Sequence, residues 1–284
     1  MQQRLPDKSG AAAIFRISLT TFSMLRYMLF FLLLTGTARA QDSSNHFNIG
    51  ITGNSSLNYY GRVDSLRSSA VMPFIGINLK SGVYLNANFV FIHNQLQSQY
   101  AATLLEGGYN FRNKKGSWAG NLSTTRYFYQ DNTDLIQSAV KQSVTASITQ
   151  LNKIVNITLG GDIKFSNQAD PGLQAGLDHI IRWTHVFHHG VIVLDPSAYV
   201  YAGTQHFTQT FYQQRHLLLF PAGEDIVTKD SRQFNILSYE CSLPVIFAYK
   251  KCFLILTPAY VLPQDLLMSA DNLFYVTATV KFSL

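Results

Sequence analysis

Beyond residue 40 this chain has no run of eighteen uncharged apolar residues. A membrane helix takes about 20, so residues 41–284 are not expected to cross a bilayer as helices. Charge is scarce too. Asp, Glu, Lys and Arg make up 13% of the 284 residues, against about 25% in soluble domains, which disfavours a helix-rich soluble protein with Glu- and Lys-laden faces. Only two cysteines occur, which in an exported chain invite one disulfide, so their spacing matters. No G-x-S-x-G, no His-x-Ser-Asn-Gly, no phosphate-binding glycine loop and no Rossmann glycine pattern is present, so neither a cofactor nor active transport by this chain alone is expected.

What is abundant suits a pleated surface: 20 Phe and 15 Tyr alongside many Thr, Ser, Asn, Val and Ile. The formal charge of +6 at first suggests an anionic partner. Arg4, Lys8, Arg16, Arg26 and Arg39 lie in the first 40 residues with only Asp7 against them, which leaves about +2 on the remainder. No Lys/Arg stripe survives there to track phosphates, so nucleic acid is not an expected partner.

The N-terminus reads as a leader. Arg26 and Tyr27 precede the apolar block Met28 to Leu34, and Ala38-Arg39-Ala40 ahead of Gln41 has the small-x-small form of a cleavage site. Residues 1–40 are therefore assigned as a signal peptide, with Met24 as a candidate true start, and 41–284 as the mature domain. Seven apolar residues are too few to anchor the chain.

Within 41–284 the apolar period is two. Val155, Ile157, Leu159, Gly161, Ile163 and Phe165 form one face, and Asn156, Thr158, Gly160, Asp162, Lys164 and Ser166 form the other. Soluble strands usually alternate for five or six residues; alternation over twelve is enough to cross a bilayer at a tilt. The same pattern predicts strands near 46–53, 70–79, 83–93, 100–111, 118–129, 140–151, 154–166, 173–187, 190–203, 232–247, 252–262 and 272–283. Short turns at 80–82, 112–117, 152–153, 188–190 and 249–251 alternate with longer connections at 54–69, 94–99, 130–139, 167–172, 204–231 and 263–271. These features predict an all-β fold, a closed antiparallel up-and-down transmembrane barrel of about twelve strands, with both termini at the end of the tight turns.

Phe274, Val276, Ala278, Val280, Phe282 and Leu284 share one face of the last strand, an ending that resembles the assembly signal of Gram-negative outer-membrane barrels. A narrower resemblance covers Tyr201-Ala202-Gly203-Thr204-Gln205 to Phe207, Tyr239-Glu240-Cys241-Ser242-Leu243-Pro244-Val245, and Thr257-Pro258-Ala259-Tyr260 to Pro263. These segments are similar to a group of outer-membrane barrels from Bacteroidota. The resemblance implies fold and location only: the cell outer membrane, with outer-membrane lipid and the barrel-assembly machinery, engaged through the last strand, as partners.

Candidate chemistry lies on the polar faces. Glu106, Asp162, Lys164, Asp178, Arg182 and Glu240, joined by Lys141, Asp195 and Lys281, are expected to line the lumen with mixed sign. Such charges can pair into a plug or contact a solute. Asp178 and Arg182 are expected to find cross-strand partners, with Asp162 or Lys164 as candidates. In the longest loop, Phe207, Phe211, Tyr212, Arg215 and His216 flank the apolar run Leu217 to Phe220, which is expected to be covered, in the mouth or in an extended hairpin. His179 and His185 fall on one face and His188 on the other, so the His-rich stretch is read as turn and interfacial residues, not as a metal site. Hairpin geometry puts Cys241 and Cys252 about 25 Å apart, which predicts two free thiols, Cys241 facing lipid. Arg126, on an apolar face near a loop end, is expected to snorkel.

Two function classes fit. One is a passive small-solute pore, or a ligand-binding or structural envelope protein, with a narrow or plugged lumen and an unidentified solute. The alternative is a barrel-embedded hydrolase of lipase or protease type, for which no catalytic residues can be named.

Overall fold

A computed structural model describes residues 45–63, 67–96, 98–130, 140–166, 168–186, 190–204, 234–264 and 271–284. The leader assignment and the loop candidates Phe207, Phe211, Tyr212, Arg215 and His216 lie outside the described residues.

The described segments are strands: β1 (His46–Asn54), β2 (Asn58–Tyr59), β3 (Arg62–Val63), β4 (Ser69–Asn78), β5 (Val83–His93), β6 (Ser98–Arg112), β7 (Trp118–Tyr129), β8 (Gln142–Gln150), β9 (Asn156–Phe165), β10 (Ala169–Asp178), β11 (Ile181–Val186), β12 (Gly190–Leu194), β13 (Ser197–Gly203), β14 (Asn235–Ser242), β15 (Val245–Tyr249), β16 (Cys252–Pro263) and β17 (Leu273–Ser283). No helix occurs among the described residues.

Apart from the small hairpin β2–β3, these strands form twelve staves. β10 continues into β11, β12 into β13 and β14 into β15, each across a two-residue break. Every stave is antiparallel to its neighbours, and pairing of β1 with β17, from Asn48↔Ser283 to Asn54↔Thr277, closes the cylinder. Closure satisfies the backbone N–H and C=O groups of the wall except along one edge of β11, the condition for spanning a bilayer without helices.

The breaks have a covalent cause. Pro196, Pro244 and Pro258 sit in neighbouring staves, and proline has no N–H for the ladder. Their carbonyls still accept: Pro196 from His179 N–H at 3.1 Å, Pro244 from Asp195 at 3.0 Å and Pro258 from Leu243 at 3.0 Å. Half the ladder is kept, and the staves pass through without ending.

Strands tilt. Following direct partners from Asn48 gives Gly76, Asn86, Glu106, Thr125, Ser143, Lys164 and Asp170. That row starts near the terminus-bearing end of β1 and finishes one residue from the opposite end of β10, as inclined staves require. Direct partners share a face, so this polar row is a band inside the barrel.

The other face is a lipid-facing belt. Ile49, Ile51, Ile75, Val83, Leu85, Phe91, Leu159, Leu173, Leu254 and Phe274 are all exposed large apolar residues. In water so large an apolar surface would be an association site; around a closed cylinder it matches the hydrocarbon of a bilayer. Arg126 stands exposed on this outer face, paired across strands with Leu105 and Gln142 near the end opposite the termini. Cys241 is exposed on it too, opposite Tyr260. Both thiols are free.

Two expected long connections are short. β6 starts at Ser98 and β10 at Ala169, which reduces 94–99 and 167–172 to 94–97 and 166–168. Strand-competent Ser98, Gln99, Ala169 and Asp170 carry the ladder further than hydrophobicity indicated, because ladder bonding does not require an apolar side chain.

Candidate functional site

The closed topology creates a concave lumen whose character changes along its length. At the end away from the termini, the connection after β1 turns inward. Leu57 N–H bonds the Ser68 carbonyl at 2.7 Å, and Asn94 Nδ2 donates to buried Ser68 Oγ at 3.1 Å, which ties the base of this connection to the wall. Between these anchors, β2 and β3 form a hairpin around Tyr60 and Gly61, with Tyr60 at φ 53° and Gly61 at φ 84°. The Gly61 N–H caps on Asn58 Oδ1 at 3.1 Å.

This hairpin crosses the bore. On the near wall, Leu57 packs on the cluster of Ala70, Val90, Ile92, Ala101 and Ala102 from β4, β5 and β6. Tyr59 is buried against Val140, with Tyr127 beside them. On the far wall, Lys164 Nζ of β9 donates to the Tyr60 hydroxyl at 3.3 Å, and the Tyr60 ring lies 5.2 Å from that of Tyr201 on β13. A Cβ on Gly61 would come within 2.6 Å of Pro263 and 3.0 Å of Val261 on β16, so only glycine fits there. Asn58 and Glu240 both hydrogen-bond Tyr275 of β17. The hairpin thus touches staves on both sides of the lumen. Burial also holds the Tyr59 phenol well above its usual pKa.

The predicted lumen residues are placed as follows. Lys164 and Asp162 form an ion pair with each other, both largely buried, directly under the hairpin. This corrects the expectation that either would partner Asp178 or Arg182. Inward residues two apart on one strand lie within reach of a lysine stem, and the Tyr60 hydroxyl accepts a second bond from the ammonium. Asp178 instead accepts from Asn156 Nδ2 at 2.6 Å, on the neighbouring stave. Glu106 accepts from the Tyr84 hydroxyl at 2.7 Å, and Asn121 Nδ2 donates to that hydroxyl at 3.1 Å. Arg182 is exposed on β11, past the last residue of β10 that pairs with β9. Glu240 is part of the hairpin's attachment. The site therefore collects Asp162, Lys164 and Glu240 around the hairpin, and leaves Glu106 and Asp178 in separate wall networks.

Below the hairpin the lumen is polar and lined with tyrosines laid against the wall. Tyr84 covers Gly108 and Tyr199 covers Gly176; a methyl group at either glycine would collide with the ring. Tyr199 and Tyr201 stack at 6.1 Å, so an aromatic strip climbs β13 towards Tyr60. Lys281 sits 4.8 Å above the Phe253 ring. No group of three or more His, Cys, Asp or Glu residues that could hold a metal ion occurs among the described residues.

Residues 58–63 carry the site, yet the sequence reading treated them as an ordinary connection. The available signal was Tyr59-Tyr60-Gly61-Arg62: two aromatics beside a glycine in an otherwise polar connection, which implies burial at a tight turn.

A closed antiparallel cylinder with an apolar belt and a polar interior defines a transmembrane β-barrel of the outer-membrane type. Solved structures of similar fold include a KdgM porin (TM-score 0.46, 9% identity, covering 84% of this chain and 99% of that one), an outer membrane channel from Pseudomonas putida F1 (0.49, 10%, 88% and 98%) and LpxR from Salmonella typhimurium (0.46, 10%, 83% and 99%). No family model and no curated protein matches the chain.

Proposed function

We propose that this chain is an outer-membrane pore for passive movement of small solutes, narrowed by the hairpin β2–β3. The observation that carries this reading is the hairpin's attachment to β9, β13 and β16 across the bore, above a polar chamber. A pore needs a polar path and a constriction that sets the size limit, and the hairpin over the polar interior supplies the constriction. Export through the leader, Gram-negative outer-membrane placement and engagement of the assembly machinery by the last strand belong to the same reading.

Planar-bilayer recording of the detergent-folded protein tests it. The intact chain is expected to give small, resolvable conductance steps, and a variant with residues 58–63 replaced by a short Gly/Ser link should give steps several-fold larger. Asp178→Ala should shift ion selectivity without changing step size much. Silence of both the intact and the shortened chain across many insertions would overturn the pore reading.

A further inference from the structure

One edge of the wall is not closed. β10 pairs with β9 down to Asp178↔Asn156, where β9 begins, but the stave runs on as β11, which pairs only with β12. Among the described residues no backbone group bonds the other edge of β11. The ladder fixes which groups are left over. His179 N–H points to Pro196 in the break between β12 and β13, so alternation turns the N–H and C=O groups of Ile180, Arg182 and Thr184 to the open edge. Arg182, Trp183, Thr184 and His185 are all exposed, although consecutive strand residues point to opposite faces, so β11 stands free on both faces.

Proteins normally blunt such edges, and the irregularity between Thr184 and Val186, with His185 at φ 64°, is a device of that kind. It lies at the far tip and leaves Ile181 to Thr184 regular. Around the edge, residues 151–155, 179–186 and 190–194 include Lys153, Arg182, His179 and His185, while the flanking carboxylates Asp178, held by Asn156, and Asp195 lie at the wall-ward end of β11, away from its tip. Exposed Ile154, Ile180 and Trp183 add apolar surface beside those charges.

We propose that β11 is a docking edge for an extended, acidic peptide segment of a partner protein at the end of the barrel that carries both termini. Strand addition supplies the missing backbone bonds, and Lys153 and Arg182 select for acidic side chains. The proposal is independent of whether the barrel conducts.

The test is amide hydrogen exchange on the detergent-folded chain, with an alternating Glu/Val heptapeptide as probe and its Lys/Val counterpart as control. Without peptide, the amides of Arg182 and Thr184 should exchange fast; with the Glu/Val peptide they should slow saturably. Thr184→Pro removes an open-edge N–H without touching the β11–β12 ladder and should abolish the protection. Arg182→Glu should weaken it about tenfold and leave the ladder amides unchanged. No protection up to millimolar peptide, or equal protection by the Lys/Val peptide, overturns the proposal. So does protection without peptide that disappears on dilution, since a second copy would then fill the edge.

Discussion

The two ends of this barrel solve the same packing problem differently. Near the hairpin, apolar residues find a true interior: Ala70, Val90, Ile92, Ala101, Ala102, Val140, Leu237 and Val261 are buried, and Leu57 and Tyr59 pack among them. Towards the termini, apolar side chains face outward to lipid and the lumen is held by polar pairs such as Tyr84 with Glu106 and Asn156 with Asp178. A barrel wall is one residue thick, so it gains a hydrophobic core only where a connection folds back into it. The difference teaches that the plugged end has a core of the kind found in soluble proteins, whereas the other end depends on closure and solvation.

The strongest way to break the contrast is Gly61→Val. A side chain there collides with Pro263 and Val261 and also has to adopt φ 84°, itself worth about 1–2 kcal/mol for a non-glycine residue. The hairpin should leave the bore, raising single-channel conductance several-fold while the heat-modifiable mobility of the folded barrel persists.

Next comes the ion pair. Lys164→Ala strands a buried Asp162, a loss of roughly 3 kcal/mol, and should lower the denaturant midpoint in detergent clearly. The double variant Lys164→Met with Asp162→Asn should recover most of it. At the other end, Lys281→Ala removes a contact with Phe253 worth about 1 kcal/mol or less, and its midpoint should barely move. Equal losses from Lys164→Ala and Lys281→Ala would erase the distinction between the two ends.

Alkali sharpens the comparison further. Tyr59 in the docked hairpin is held above the usual phenol value of about 10. Docking therefore favours the neutral phenol; this contribution is complete below about pH 10 and is lost as pH rises from there towards the docked value. Conductance should grow only as pH rises above about 10, and Tyr59→Phe should remove most of that growth.

The smallest effect concerns the thiols. Cys241 pairs with Tyr260 and Cys252 with Tyr249, which separates them by about 26 Å along β16 at about 3.3 Å per residue. Monomer mobility should not change under oxidising conditions, and a lipid-soluble maleimide should label Cys241.

Most of the wall is legible in the amino-acid sequence. Alternation alone placed twelve staves, because a side chain pointing to lipid and one pointing to water obey opposite solvation rules at every second residue. The boundaries at Ser98 and Ala169 were missed because polar residues can extend a ladder without leaving a hydropathy signal. The stave breaks at Pro196 and Pro244 were also missed, since the period continues through them. In the site, Asp162, Lys164 and Glu240 were named as lumen residues. The pairing of Asp162 with Lys164 was not foreseen, because cross-strand partners were expected and a long lysine stem reaches along its own strand.

Sequence by itself determined which face of each stave meets lipid, for that depends only on residue type and a period of two. Only the tertiary structure decided that Tyr59, Tyr60 and Gly61 close on Lys164, Tyr201 and Pro263, and that β11 keeps an open edge. Those facts depend on stagger and on how far each stave outruns its neighbour, and these are properties of the closed ring that no single segment encodes.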